Sequence, residues 1–379
     1  MRILVVNMGS SSLKLRVLDD ADQVLGAQDL DAPRAEVDEQ ALDAALAELP
    51  EADAVGHRVV HGGTRFAGPV RLDGDVVAQL RALTDLAPLH QPKSLAGIEA
   101  VRRRLSELPA VACFDTGFHA TLPPAAATYA LPLSWRRRFG VRRYGFHGLS
   151  HAYAARRAAE LLSARPEELR IVTCHLGAGA SLAAVSAGKS VDTTMGFTPL
   201  EGLVMATRSG SVDPGLVLWL LEHTGMSEAQ LAHALEHESG LLALAGSADM
   251  REVLAGAERG DERARLALDV YVHRLRAEIA AMAAAMGGLD ALAFTGGVGE
   301  NAPAVRAGAV KGLGFLGAAV DGERNRIAQP DANLSAPGAP VHTLVVAARE
   351  DVEIARQVRA LLDGGATKEK ARGGGPFPA

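Results

Sequence analysis

Three glycine-bearing turns, each at the end of an apolar run, are the first places in this chain where residue types and spacing could do chemistry. The first is Asn7-Met8-Gly9-Ser10-Ser11-Ser12-Leu13-Lys14. Glycine lets the backbone come close to a phosphate, and successive N–H groups with hydroxyls such as Ser10 and Ser12 can point at it. Lys14 adds a point charge, and Asn7 could hold a metal-bound water. The same stretch also reads as a serine-rich hairpin turn, because no helix follows to lend its dipole. It is not the G-x-x-x-x-G-K-[ST] phosphate loop. His175-Leu176-Gly177-Ala178-Gly179 repeats the design, and Thr295-Gly296-Gly297-Val298-Gly299-Glu300-Asn301 makes a third turn. The third opens a helix, whose N-terminus could take a ribose or an α-phosphate. One such turn is commonplace. Three at strand ends point to a phosphate ligand, because open α/β sheets bind ligands at strand ends.

Cations accompany the turns. Arg58 sits within Gly56-His57-Arg58-Val59-Val60-His61-Gly62-Gly63, a strand otherwise made for burial. A buried guanidinium without an anion is very costly, so Arg58 calls for one, either a structural Asp or Glu or a ligand. Arg208 stands among small residues in Met205-Ala206-Thr207-Arg208-Ser209-Gly210-Ser211-Val212-Asp213-Pro214. Two such arginines suit a carboxylate together with a transferring phosphoryl group. In Tyr144-Gly145-Phe146-His147-Gly148-Leu149-Ser150-His151 two histidines stand four apart. A zinc site would need further ligands at a usual spacing, and none is present, so His147 reads as a donor to a phosphoryl oxygen and His151 as a structural helix residue. His57 and His61 read as packing or supporting groups. Arg136, Arg137, Arg138, Arg142 and Arg143, interleaved with Trp135, Phe139 and Tyr144, read as a solvated loop rather than a nucleic-acid surface, given the acidic total.

The elements that must position these groups alternate between strand and helix. Ile3 to Val6, Leu13 to Leu18 and Gln23 to Leu30 form a β-meander; Val37 to Leu49 is an amphipathic helix; Ala54 to Val60 is a strand. Ser94 to Leu105 puts Leu95, Ile98, Val101 and Leu105 on one helical face, and Val111 to Phe114 is a buried strand ending in Asp115. Residues 126 to 144 read as irregular, and Ser150 to Leu162 as helical. Leu169 to Cys174, a tight glycine turn and Ser181 to Val185 then repeat the opening pattern, which indicates an internal duplication. The second half adds helices at Pro214 to Glu222, Ser227 to Leu235, Met250 to Leu254 and Glu262 to Met286. It adds strands at Leu289 to Phe294 and Val341 to Val346, a helix starting near Ala302 and a last helix at Asp351 to Leu362. The tail from Gly364 has a disorder-type composition.

Bulk properties bound the answer. With 379 residues the chain suits two domains. Hydrophobic residues at 48% and charged residues at 22% describe a globular protein, and a net charge of −6 argues against nonspecific nucleic-acid binding. Cys113 and Cys174 lie in apolar strand-like runs and read as buried free thiols. No signal peptide or membrane span is evident: Ile3 to Val6 is too short, and Glu278, Asp290 and a glycine pair interrupt Ala277 to Phe294. A reducing cytoplasm is the expected compartment.

Taken together, these segments resemble the acetate kinase family of the wider sugar kinase, Hsc70 and actin superfamily. The markers are N-M-G-S-S-S-L-K, G-H-R-V-V-H-G-G, L-A-P-L-H-Q-P, F-D-T-G-F-H, Y-G-F-H-G-L-S-H, H-L-G-A-G, M-G-F-T-P-L-E-G-L, T-R-S-G-S-V-D-P and G-V-G-E-N, running from Met1 to about Leu362. The resemblance implies an α/β class: a duplicated RNase H-like two-domain fold with an interdomain cleft, assembled as a homodimer. Domain I would take residues 1–119 and 351–363, domain II residues 120–350, and the tail residues 364–379. The implied reaction is reversible transfer of the ATP γ-phosphate to acetate, giving acetyl phosphate and ADP, with Mg²⁺ or with Mn²⁺ in its place. By this resemblance Arg58 and Arg208 hold acyl and phosphoryl oxygens, His147 and Arg208 stabilise the transition state, and Asp115 is catalytic and positions Arg58. Asn7 and Glu350 hold the metal. Lys14, His175, Gly177, Gly179, Asp249, Arg251, Gly297, Val298, Gly299 and Asn301 bind ATP, and Ser10 and Ser12 belong to the phosphate loop. His90 is a supporting histidine, and Val60, Leu89, Phe146 and Pro199 form the acyl pocket.

The physics agrees with that assignment. Phosphoryl transfer needs positioned cations more than covalent chemistry. The acceptor carboxylate is already ionised near neutral pH, so direct in-line transfer needs no general base. Three features depart from the family pattern: Ala178 stands where an asparagine is usual, Met8 where an alanine is usual, and the segment from Leu30 to Ala52 is short. The alternatives are a propionate or other short-chain acyl kinase and, from another class, a noncatalytic regulator that binds ATP or an acyl phosphate.

Overall fold

Among the described residues, twelve strands form two six-stranded sheets whose strand orders are the same. The computed structural model describes residues 1–9, 12–32, 37–84 and 91–372, with side chains to residue 363. Ser10, Leu89 and His90 therefore lie outside the described residues, as does the tail beyond 372. In chain order the strands are β1 (Ile3–Met8), β2 (Ser12–Leu18), β3 (Val24–Asp31), β4 (Ala54–Val59), β5 (Val70–Arg71), β6 (Ala110–Phe114), β7 (Arg170–Leu176), β8 (Ala180–Ser186), β9 (Lys189–Thr193), β10 (Ala291–Thr295), β11 (Ala332–Asn333) and β12 (His342–Val345).

The first sheet runs β3-β2-β1-β4-β6-β5 and the second β9-β8-β7-β10-β12-β11. In each, three antiparallel strands form a meander, two further strands continue parallel to the first, and a two-residue strand closes the edge antiparallel. Even the short edge strands β5 and β11 correspond. This is a duplicated RNase H-like α/β architecture.

Two compact units contain the sheets: Met1–Phe118 with Arg349–Ala379, and His119–Ala348. In the first unit the residues of β1, β2 and β4 supply Leu4, Val6, Leu13, Leu15, Val55 and Val59 to a core shared with Leu95, Ile98 and Val101 of the helix Gln91–Arg104. On the other side, the helix Glu350–Arg372 packs Ile354 and Val358 against Gly56 of β4. Strands buried on both faces read as near-continuous apolar runs, which is why β1, β6, β7 and β10 were plain in the sequence.

Four readings need correction. Residues 126–144 are not irregular throughout: they hold helices Pro124–Ala127 and Leu133–Phe139. Nor is the basic run wholly solvated, because Arg143 is largely buried and pairs with Glu201 at 2.8 Å. The last helix continues to Arg372, past Leu362. The third glycine turn does not merely precede a helix but is one, Gly296–Asn301, followed directly by Pro303–Lys311. Among the described residues no helix is long and apolar enough to cross a membrane. Cys113 and Cys174 are buried free thiols.

Candidate active site

In the first unit the carboxyl ends of parallel β1, β4 and β6 converge. Asn7 comes from β1, Arg58 from β4 and Asp115 from the residue after β6. Arg58 donates to both Asp115 oxygens, from Nε at 3.0 Å and from Nη2 at 2.6 Å, and Nη1 donates to the Asn7 amide oxygen at 3.3 Å. The Glu350 carboxylate lies 3.6 Å from Arg58 Nε and accepts from Asn7 Nδ2 at 3.3 Å. The anion that the Arg58 strand demanded is therefore Asp115, itself buried at 1% exposure. Burial alone would lower the guanidinium pKa, but the charges of Asp115 and Glu350 and the paired hydrogen bonds outweigh it and hold the pKa above the ordinary arginine value. Three Arg58 N–H donors are engaged, so part of its five-donor fork remains for a ligand oxygen. Lys14 is exposed on β2 opposite Asn7, and the turn is closed by Gly9 N–H donating to the Ser12 carbonyl at 2.8 Å. Val60 is buried directly after β4.

In the second unit the β7–β8 hairpin forms the matching turn, with Gly177 N–H donating to the Gly179 carbonyl at 3.0 Å. Gly179 lies against two of the candidate residues at once. A methyl group there would stand 3.3 Å from His147 Cε1 and Nε2 and 3.5 Å from Arg208 Nη1. His147 caps the helix Gly148–Leu161 with left-handed backbone, φ 55°. Gly145, at φ 74°, lets the chain pass the His119 ring, where a β-carbon would approach to 2.6 Å. Strain of this kind persists only where surroundings over-determine it, and it clusters at functional sites. The His175 ring lies 4.4 Å from that of His147, tilted by 32°, and its Nδ1 meets Ser150 Oγ at 2.7 Å. Phe146 is buried, and its carbonyl accepts from His119 Nε2 at 3.0 Å.

Arg208 differs from Arg58. Its Nη1 donates to the Pro199 carbonyl at 2.9 Å, and it forms no ion pair with a carboxylate among the described residues. Burial lowers its pKa, and the more distant Glu236 charge only partly opposes this. A desolvated guanidinium with donors to spare is suited to an anionic ligand. Pro199 is positioned by a clamp that the sequence reading missed. Glu201 takes the Tyr129 hydroxyl on one oxygen and Arg143 on the other, while the Tyr129 oxygen accepts from Phe197 N–H at 3.0 Å.

At the third turn the Glu300 carboxylate accepts from Gly296 N–H at 3.1 Å and Ala348 N–H at 3.0 Å. The helix N-terminus is thus partly occupied by its own glutamate, which removes the expected free N-terminal cradle. Gly297 is exposed with open space at its Cα, and Asn301 Nδ2 donates to its carbonyl at 2.9 Å. Asp249 caps the helix Met250–Glu258, accepting from Arg251 N–H at 2.9 Å, and holds the exposed Arg251 side chain. Arg306 was also missed. Fully buried, it donates to the Gly299 and Glu300 carbonyls at 2.8 and 2.7 Å and to Asn325, pinning the turn from behind. The signal was the one used for Arg58, an arginine among core residues such as Val305 and Ala309.

The duplicated sheets, with glycine hairpins at their strand ends and the guanidinium groups of Arg58 and Arg208 beside them in their respective units, define a phosphotransferase of duplicated RNase H-like fold. The chain belongs to the acetokinase family, whose model matches residues 27–356. It is 42% identical to the acetate kinase of Shouchella clausii, over 94% of this chain and 98% of that one. Among solved structures it is similar to Porphyromonas gingivalis acetate kinase, with 36% identity, a TM-score of 0.88, and 95% and 99% of the two chains covered. It is similar also to a propionate kinase from Francisella tularensis, with 35% identity, a TM-score of 0.87, and 94% and 98% covered.

Proposed function

We propose that this chain is an ATP:acetate phosphotransferase, forming acetyl phosphate and ADP reversibly by direct in-line transfer. The observation that carries the reading is Arg208: a desolvated guanidinium lacking a carboxylate partner among the described residues, beside His147 at the glycine hairpin. Charge on the transferring phosphoryl oxygens is met by Arg208 and His147, while Arg58, oriented by Asp115, binds the acyl carboxylate. Asp115 orients rather than abstracts, because its oxygens are committed to Arg58. The ATP phosphates fall to Lys14, Ser10, Ser12, His175, Gly177 and Gly179, and adenosine to Asp249, Arg251, Gly297, Val298, Gly299 and Asn301. Val60, Leu89, Phe146 and Pro199 are the residues assigned to the acyl group.

The Asn7 amide, whose Nδ2 donates to the Glu350 carboxylate at 3.3 Å, brings its own oxygen Oδ1 close to that carboxylate. Two such hard donors suit Mg²⁺, which binds through one or two carboxylates, several waters and substrate phosphates. When bound, the ion neutralises phosphate charge. A homodimer is part of the proposal, because the helix Pro214–His223 exposes the large apolar side chains Leu216, Leu218 and Trp219. A cytoplasmic location accords with two buried, unpaired cysteines.

The test is hydroxamate trapping of acyl phosphate with acetate, propionate and butyrate, each against ATP and pyrophosphate. Acetyl hydroxamate with ATP is expected, and Arg208→Ala should lower its rate by about 10²–10³-fold. No acyl phosphate under any pairing overturns the reading. Preference for propionate would select the second reading, which the Francisella structure favours; one methylene shifts binding by only about 1–3 kcal/mol. A phospho-enzyme accumulating with ATP alone would refute direct transfer.

A further inference from the structure

Behind His147 runs a line of buried hydrogen-bonding groups that the proposed reaction does not use. Ser181 Oγ lies 2.9 Å from His147 Nδ1 and 2.8 Å from His151 Nε2. His151 Nδ1 lies 2.8 Å from Thr173 Oγ1, which in turn reaches the Ala183 carbonyl at 3.4 Å. Ser181, His151 and Thr173 are all fully buried. Ser181 interrupts the apolar run of β8, and Thr173 that of β7, at a cost met only by such bonds.

Each hydroxyl has one proton, and this fixes a direction. The Ala183 carbonyl can only accept, so the Thr173 proton points there. His151 Nδ1 must then donate to Thr173. His151 is enclosed without a carboxylate and is neutral, so its remaining nitrogen, Nε2, has no proton and accepts from Ser181. Ser181 oxygen is left to accept from His147 Nδ1–H. The reverse order would leave Thr173 with one bond instead of two.

We propose that Thr173, His151 and Ser181 are positioning residues that lock His147 in its Nδ1–H form, leaving Nε2, the atom beside Gly179 and Arg208, as the nitrogen that meets the phosphoryl group. This rests on the reading of His147 as a phosphoryl donor. With Nδ1 committed, His147 donates from Nε2 only as the imidazolium. Its second proton comes from the buffered solvent as the anionic ligand arrives and goes back to it on release.

The experiment is a long-range ¹H–¹⁵N correlation spectrum of the full chain labelled in histidine, with the His147 signals assigned through His147→Gln. Neutral His147 is expected to carry its proton on Nδ1. Thr173→Val, nearly isosteric and two hydrogen bonds away, should shift His147 toward Nε2–H and lower kcat about 5- to 10-fold with KM for ATP within about twofold. Thr173→Ser should restore both. If Thr173→Val does not fold, Ser181→Ala gives the same readout by removing the acceptor itself. A wild-type His147 protonated on Nε2, or a tautomer indifferent to these substitutions, overturns the proposal. Absence of acyl phosphate from a wild-type chain with the Nδ1–H signal would instead overturn the functional reading alone.

Discussion

Replacing Asp115 by asparagine tests the first-unit site at its most committed contact. The carboxylate takes two donors from Arg58, and its own side chain is 1% exposed while that of Arg58 is 17% exposed. Removing one partner of a buried ion pair costs roughly 3–5 kcal/mol, chiefly because the other charge is left behind. Here Glu350 stands 3.6 Å from Arg58 and takes up part of that charge. The expected loss for Asp115→Asn is therefore about 2–3 kcal/mol, just below that range. Arg58→Met should destabilise similarly, and the double variant less than the sum, with a coupling of about 1–3 kcal/mol. Urea unfolding of the four proteins at pH 7 measures this, and hydroxamate trapping on the same samples should show kcat/KM for Asp115→Asn down by about 10²-fold or more. Additivity within about 0.5 kcal/mol would refute the idea that this pair holds the site together.

Acid should destabilise the fold in a defined window. Burial pushes His57 down to about 3 and His61 and His119 down to about 4, and holds His151 well below the ordinary histidine value. The unfolded chain then binds more protons below about pH 6.5, so stability is full above that pH and falls on acidification toward pH 4, by up to about 1.4 kcal/mol per pH unit for each such histidine. Urea midpoints at pH 7, 6 and 5 check the slope, and a flat profile would contradict it. Arg306→Met removes the donors that hold the Gly299 and Glu300 carbonyls, and it should raise KM for ATP about tenfold while leaving KM for acetate within about twofold. Ala178→Asn places an amide at the exposed tip of the β7–β8 hairpin and should raise kcat by about 5- to 50-fold if that donor reaches the phosphoryl group; an unchanged kcat means it does not.

Much of this was legible in the chain because the relevant signals are local. Glycine beside a strand end, an arginine inside a β-branched run and a repeat of strand, turn and strand all lie within a few residues of one another. They located β1, β2, β4, β7, β8 and β10 and the arginines Arg58 and Arg208. What was not legible depends on partners far apart in sequence. Asp115, 57 positions from Arg58, entered only through the family resemblance and by no local signal, and the Arg143 partner Glu201, 58 positions away, did not enter at all. The two-residue strands β5 and β11 carry no periodicity at all and exist only because β6 and β12 offer an edge. Ser181 and Thr173 looked like ordinary small residues of buried strands, since the histidines that give them meaning are read only once the helix Gly148–Leu161 is laid against β7 and β8. The tip of the third turn misled for a related reason: a helix of six residues whose own glutamate returns to its first N–H cannot be told from an open N-terminus by composition.

The helix Glu350–Arg372 has a consequence for how the protein comes into being. It packs on β4 through Gly56, and it begins with the glutamate that meets Asn7, 343 positions earlier. During synthesis the ribosome therefore delivers the whole second unit, His119–Ala348, before the first can be finished. Domains fold as units while the chain emerges. The second unit is thus free to fold while the first is still waiting, its β4 face uncovered and Arg58 held by Asp115 and Asn7 without Glu350. A nascent chain stalled just before residue 350 would carry one finished unit and one unfinished unit, with Asn7 still lacking its Glu350 partner.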